Sequence, residues 1–321
     1  MRVPFACVLL FAGCSTDFVP QTCAVDNDCG DGLVCETNGT SNVCVHADDA
    51  PLIIGESAPI SGTNQALGTG MKLGIELAFD EQNAMGGIRG RKLQLDFRDD
   101  AYQPNLAETN ARALTDAQSI ANMQPQCPSS AMPIAGNTPV STTALKRGPK
   151  GVLALLGSVG TPTMLRAAPI AVETGTVFFG AFTGATTVLR DTTCAACSKY
   201  IFNVRASYAQ EARATVELFK KKGVTDYTRM ISFDQNDSYG QSGYDGLVQA
   251  YKDVVGAFPG NADPTNPIVR FRYTRNDDTS VPSQAAAAEA YIAQSLGSTS
   301  GTITIGVMMT DTYGAGGDFI I

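Results

Sequence analysis

Two short runs of glycine and hydroxyl residues, Gly157-Ser-Val-Gly-Thr161 and Thr183-Gly-Ala-Thr186, carry the residue types suited to hold a small anion. Glycine lets a backbone come close to a ligand. Thr161 precedes Pro162, and proline fits the first turn of a helix, where its missing N–H costs nothing. That places Thr161 as the N-cap. A helix N-terminus offers unpaired N–H groups and the positive end of the dipole, an arrangement suited to a carboxylate. The other reactive residue types point away from catalysis. Cys23, Cys29, Cys35 and Cys44 lack the C-x-x-C spacing of common zinc sites and read as two disulfides, with three pairings open. Asp26, Asp28 and Asp31 come near a calcium loop, but Gly30 stands where a ligand is wanted, so no metal is expected. Cys194-Ala-Ala-Cys197 falls in a loop and reads as a local disulfide. Asp99-Asp100 is a paired carboxylate at a strand end, where such acids are solvated or cap a turn. His46 is the only histidine, and no G-x-S-x-G elbow, Walker loop or G-x-G-x-x-G after a strand is present. Neither an enzyme nor a cofactor is expected.

The elements that must hold the two loops alternate. Leu153–Leu156 is apolar, long enough for a buried strand and too short for a helix. A helix follows from Pro162, then a strand at Val177–Phe179. Upstream, Leu52–Ala58 is a strand. Leu67, Met71, Ile75 and Ala78/Phe79 recur at helical spacing over 65–83, and Gly86-Gly87 closes that helix. Leu93, Leu95 and Phe97 alternate in a second strand, and Pro104 opens the next helix. Downstream, a strand is expected over 200–204, a helix over 208–222, a strand over 229–233, a helix after Tyr239, a strand over 268–273, an alanine-rich helix over 283–295 and a strand over 302–309. Strand, helix, strand, helix is the pattern of a parallel sheet. The stretch 118–150, rich in Pro, Ser, Asn and Thr and holding Cys127, breaks the rhythm and reads as an insertion on the surface. Two hydroxyl-bearing loops at the carboxyl ends of neighbouring strands are where open α/β sheets take ligands.

Composition sets the class. The chain has 321 residues, 44% hydrophobic and 17% charged, with a net charge of −8. That is globular, roomy enough for two domains, and too acidic for a nucleic-acid role. Residues 1–13 read as a signal peptide. Cys14 follows Phe11-Ala12-Gly13, small residues before a cysteine, as in a lipidation site. The cysteine-rich stretch 15–50 has almost no core formers and reads as a disulfide-stapled neck.

Six motifs in order resemble a known family. They are Ile54-Gly-Glu-Ser-Ala-Pro-Ile-Ser-Gly62, Gly86-Gly-Ile-Arg-Gly-Arg-Lys-Leu93, Gly157-Ser-Val-Gly-Thr-Pro-Thr163, Phe179-Gly-Ala-Phe-Thr-Gly-Ala185, Phe202-Asn-Val-Arg-Ala-Ser-Tyr208 and Asp237-Ser-Tyr-Gly240. The chain resembles the type I periplasmic solute-binding proteins of the leucine/isoleucine/valine class, which serve ABC transporters. The resemblance implies a two-lobed α/β fold with parallel, Rossmann-like sheets. The first lobe would cover 51–206, with the insertion at 118–150, and the second would run from 207 to 321, incomplete, its return to the first lobe missing. It implies a small amino-acid or carboxylate ligand in the interlobe cleft. Ser158, Gly160, Thr161, Phe182, Thr183 and Gly184 would hold its polar head, and Leu67 would lie near its side chain. Tyr208, Tyr239 and Tyr313 would close from the second lobe, and an acid gripping the ammonium would lie beyond residue 321. It also implies a periplasmic, lipid-anchored protein that meets an ABC permease and no nucleic acid, or alternatively a sensor of the same fold that signals to a membrane partner.

Overall fold

The structure, a computed structural model, describes residues 21–37, 40–123, 125, 144–185, 197–295, 303–312 and 315. Cys14, Cys127, Cys194, Tyr313 and the signal peptide lie outside the described residues, and so does most of the expected insertion.

The chain divides into two compact units, one holding the residues up to Pro51 with Gly86–Lys92, the other the rest. In the first unit β1 (Leu33–Thr37) and β2 (Asn42–His46) form an antiparallel hairpin. Cys23 pairs with Cys35 and Cys29 with Cys44. Those sulfurs are therefore not available as thiolates for zinc. Two of the three acids of the supposed calcium loop are engaged as well: Asp28 accepts from the Ala24 and Val25 N–H groups, and Asp26 from that of Cys35.

The second unit holds two parallel sheets. The larger has the order β4-β3-β7-β8-β9, with β3 Leu52–Ala58, β4 Leu93–Asp99, β7 Ala154–Leu156, β8 Val177–Phe179 and β9 Ile201–Phe202. The smaller has the order β11-β10-β12, with β10 Met230–Gln235, β11 Val269–Tyr273 and β12 Gly306–Thr310. The helices between them are α1 (Gln65–Ala84), α2 (Pro104–Leu114), α3 (Thr161–Thr174), the short α4 (Cys197–Tyr200), α5 (Tyr208–Lys221), α6 (Ser238–Val254) and α7 (Val281–Ser295). In each sheet the first strand lies between the second and the third. The connections therefore reverse direction beside β3 and beside β10, and such switch points open a crevice at the strands' carboxyl ends.

The expected elements are found, with shifted ends. The strand expected over 200–204 shrinks to two residues, and Val204 is exposed. The stretch 118–150 is not all loop. Gln118–Ser119 (β5) and Leu145–Lys146 (β6) pair antiparallel at its base, and Ala144 and Leu145 are buried. An apolar pair inside the core anchors the base of the insertion.

Every residue of α3 is buried. A helix with apolar residues on every face must be covered on every face. Of its two buried charged residues, Arg166 and Glu173, Arg166 pairs with Glu108 at 3.3 Å and with the Asn105 side chain at 3.3 Å, both from α2. Among the described residues no helix is long and apolar enough to cross a membrane.

Candidate functional site

The loops after β7 and β8 lie side by side, because strand pairing continues beyond the strands. Val159 bridges Phe182, the Gly160 N–H donates to the Phe182 carbonyl (3.2 Å), and the Phe182 N–H to that of Ser158 (2.8 Å). Gly160, not Thr161, is the N-cap of α3, with φ of 96°. A Cβ there would come within 2.1 Å of the Tyr102 ring, so Tyr102 from the loop after β4 packs directly on the cap. Glycine is required at this position on both counts.

Thr161 and Thr183 do face one another, as their positions at adjacent strand tips suggest. Their hydroxyl oxygens are 2.7 Å apart, and the Tyr208 hydroxyl is 3.2 Å from the first and 3.1 Å from the second. Both threonines have 0% of their surface exposed. The sequence reading aimed these hydroxyls at a ligand. The structure turns them inward, into a closed triad that joins the first sheet's loops to the start of α5. Thr161 is the first helical residue, so its hydroxyl points sideways into this triad instead of back over the helix end. Ser158 and Gly184 also lie behind the surface: Ser158 is buried, and Gly184 meets the Tyr208 ring.

In front of the triad is a cleft of about 400 Å³. Its walls include Gly160, Phe182, Tyr208 and Tyr239, four of the residues picked from sequence, and Leu67. The Tyr208 and Tyr239 rings lie 5.4 Å apart, tilted. The Tyr239 hydroxyl donates to the Asp311 carbonyl (2.9 Å), which ties α6 to the end of β12. Tyr102, Val159, Arg205, Asp311 and Thr312 complete the lining and were not singled out from sequence. A signal for most of them existed: Tyr102, Val159, Asp311 and Thr312 all lie within three residues of a strand's carboxyl end, and Arg205 sits inside the Phe202–Tyr208 motif.

Arg205 and Asp311 are the two ionisable groups of opposite charge in this lining. The Arg205 guanidinium lies 5.0 Å from the Phe182 ring centre and 5.4 Å from that of Tyr208, and its Nη2 donates to Glu211 at 2.5 Å. Burial pushes the Asp311 carboxyl up to about 6. It also raises the phenols of Tyr102 and Tyr239 well above their usual range, so both remain neutral donors.

The two sheets also touch beside the cleft. Asn276, left-handed at φ of 58°, accepts from the Asn64 side chain (3.1 Å) and donates to the Ala101 carbonyl (3.3 Å). Gln235 reaches the Tyr102 hydroxyl at 3.5 Å. The acid pair at the end of β4 is occupied with its own turn. Asp99 accepts from the Ile60 and Ala101 N–H groups and the Ser61 hydroxyl, and Asp100 from Ser57 and the Tyr102 N–H.

Comparison with known proteins places this geometry. A family model described as periplasmic binding protein matches residues 51–136 and 135–309. An amino acid binding protein of Pseudomonas aeruginosa is 33% identical over 120 residues, 34% of this chain and 32% of the relative. A Leu/Ile/Val-binding protein homolog of Brucella abortus is 46% identical over 65 residues, 20% of this chain and 16% of the relative. The crystal structure of a possible leucine/isoleucine/valine-binding protein from Rhodopirellula baltica is similar at a TM-score of 0.62 and 29% identity, over 86% of this chain and 60% of that one. The matches thus span about a third or less of these curated relatives and 60% of the solved structure.

Proposed function

The chain belongs to the periplasmic binding protein family, and on that premise we propose that it is an extracytoplasmic solute-binding protein of an ABC transporter. Its ligand is a small amino-acid-like carboxylate held in the cleft between the two sheets. The lobes are 51–206 and 207 onward. The observation that carries the reading is the position of the cleft. Its walls come from the loops at both topological switch points, beside β3 and β7 in one sheet and beside β10 and β12 in the other. A volume of about 400 Å³ and four aromatic rings, Tyr102, Phe182, Tyr208 and Tyr239, suit a ligand of amino-acid size with an apolar body. Gly160, Phe182, Tyr208 and Tyr239 contact it. Asp311 is the acid on the cleft lining and takes the ammonium, the role the resemblance assigns to an acid beyond residue 321. Ser158, Thr161, Thr183 and Gly184 brace the wall from behind.

Lipidation at Cys14 would tether the protein to a membrane, with the disulfide neck as spacer between anchor and binding unit, and the loaded protein would meet an ABC permease. No catalytic step is part of this role. The test is a thermal-shift screen of the mature protein against the proteinogenic amino acids and short-chain acids. A saturable rise in Tm with a subset of them is expected. A flat response across the screen from folded protein would contradict the reading.

A further inference from the structure

We propose that Arg205 is the group that binds the ligand's carboxylate, in place of the loop hydroxyls of Thr161 and Thr183. This rests on the cleft being the solute site. Three observations carry it.

The first is that both threonine hydroxyls are closed into the triad with Tyr208 and fully buried. A carboxylate could reach them only by displacing the Tyr208 ring, which also packs against Tyr239. At the α3 N-terminus Gly160 lines the cleft, but Tyr102 packs on it and its N–H is already given to the Phe182 carbonyl. The anion site written in the sequence is therefore internal to the wall.

The second is that Arg205 is the one cation among the described residues that line the cleft. A guanidinium carries five N–H donors and matches a carboxylate with a two-pronged contact. Desolvation beside the aromatic rings strengthens its pull on an anion relative to a cation in open water.

The third is that the guanidinium is held in place. Phe182 and Tyr208 lie within stacking distance of its centre, and Glu211 fixes one edge. Its backbone is fixed as well: the Arg205 main-chain N–H donates to Asn203 Oδ1 (3.1 Å), and Asn203 Nδ2 donates to the Thr183 carbonyl (2.7 Å). The residue is thus indexed to the same loop whose hydroxyl is turned inward. Arginine does this where lysine does not, because its planar fork both stacks and chelates.

Asp311 on the same lining gives the cleft a second pole. The ligand class is then a zwitterion with an apolar or aromatic body: carboxylate at Arg205, ammonium towards Asp311.

The experiment is calorimetric titration of L-leucine, L-phenylalanine and their C-terminal amides, leucinamide and phenylalaninamide, which keep the ammonium and lose the carboxylate. It uses wild type, Arg205→Gln, Arg205→Lys and Thr183→Val, each checked for folding by circular dichroism. Wild type is expected to prefer an acid over its amide by tenfold or more. Arg205→Gln should bring the acid down to the level of the amide while leaving the amide's affinity in place. Arg205→Lys should keep only part of the preference. Thr183→Val should retain it. If Arg205→Gln or Arg205→Lys keeps the full preference, or Thr183→Val abolishes it, the assignment to Arg205 is overturned while the cleft reading stands. If wild type binds none of the four probes, the reading of the cleft as an amino-acid site fails, and this assignment with it.

Discussion

Glu56 sits in the middle of β3 with 0% of its surface exposed, and neither carboxylate oxygen has a hydrogen-bond partner. Burial raises it to about 8; Lys72 on α1 opposes the shift, and Glu76 on α1 and Asp100 add to it. The folded protein therefore holds this proton at pH values where the unfolded chain, ionising near 4.5, has lost it. The sign follows: unfolding releases the proton, so this group's contribution to stability is undiminished below about pH 4.5 and falls as pH rises toward 8. Asp100, pushed up to about 6 by burial, acts in the same direction. The effect of Glu56 is at most about 5 kcal/mol across that window. Glu56→Gln should flatten the decline in urea-unfolding free energy between pH 5 and pH 8; an unchanged slope would mean the carboxyl finds a partner or water. A second residue-scale expectation concerns Gly160. Its φ of 96° and the nearby Tyr102 ring make Gly160→Ala both strained and crowded. It should cost roughly 2–4 kcal/mol by denaturant titration and weaken ligand binding by displacing Tyr102.

At the scale of elements, the hydroxyl triad and the neck make separate predictions. Tyr208→Phe removes the one side chain that reaches both threonine hydroxyls and leaves them with each other and the Ala185 N–H. A loss of about 1–2 kcal/mol in unfolding free energy is expected. The neck closes loops with sequence separations of 12 and 15 residues around a hairpin of two five-residue strands that buries little. Each disulfide restricts the unfolded chain by about 3 kcal/mol. Reduction should therefore make residues 21–50 protease-sensitive while the unfolding midpoint of residues 52 onward stays in place, read by limited proteolysis and by circular dichroism with and without reductant. Most elements were legible in the sequence, because each has local causes. Pro162 starts α3, Gly175 ends it in the left-handed conformation, and Leu67, Met71 and Ile75 place one face of α1 inward. The base of the insertion was missed because Leu145 is buried by partners far along the chain.

For the whole molecule, the same distinction separates what was legible at the site from what was not. The loops and four of the cleft residues could be read from strand-end glycines, hydroxyls and tyrosines. The inward turn of Thr161 and Thr183 could not, since it depends on Tyr208 arriving from α5, and Arg205 and Asp311 come to line one cleft only when both sheets are assembled. The contacts between the sheets also predict how the cleft is held. Asn276 links Asn64 and Ala101 across it without touching the cleft lining. Asn276→Ala should weaken ligand affinity about three- to tenfold, with the ranking of ligands unchanged, because it loosens the contact between the two sheets rather than the contacts to the ligand. Equal affinity in the two proteins would show that these bonds form regardless of ligand.

The most direct measurement is hydrogen–deuterium exchange on the protein with and without a solute that raises its Tm. The account predicts slower exchange in the loops at both switch points, residues 157–161 and 180–184 in one sheet and 235–240 and 310–312 in the other, together with 205–208. Protection restricted to one sheet, or concentrated on the outer faces of α5 and α6 away from the cleft, would contradict it.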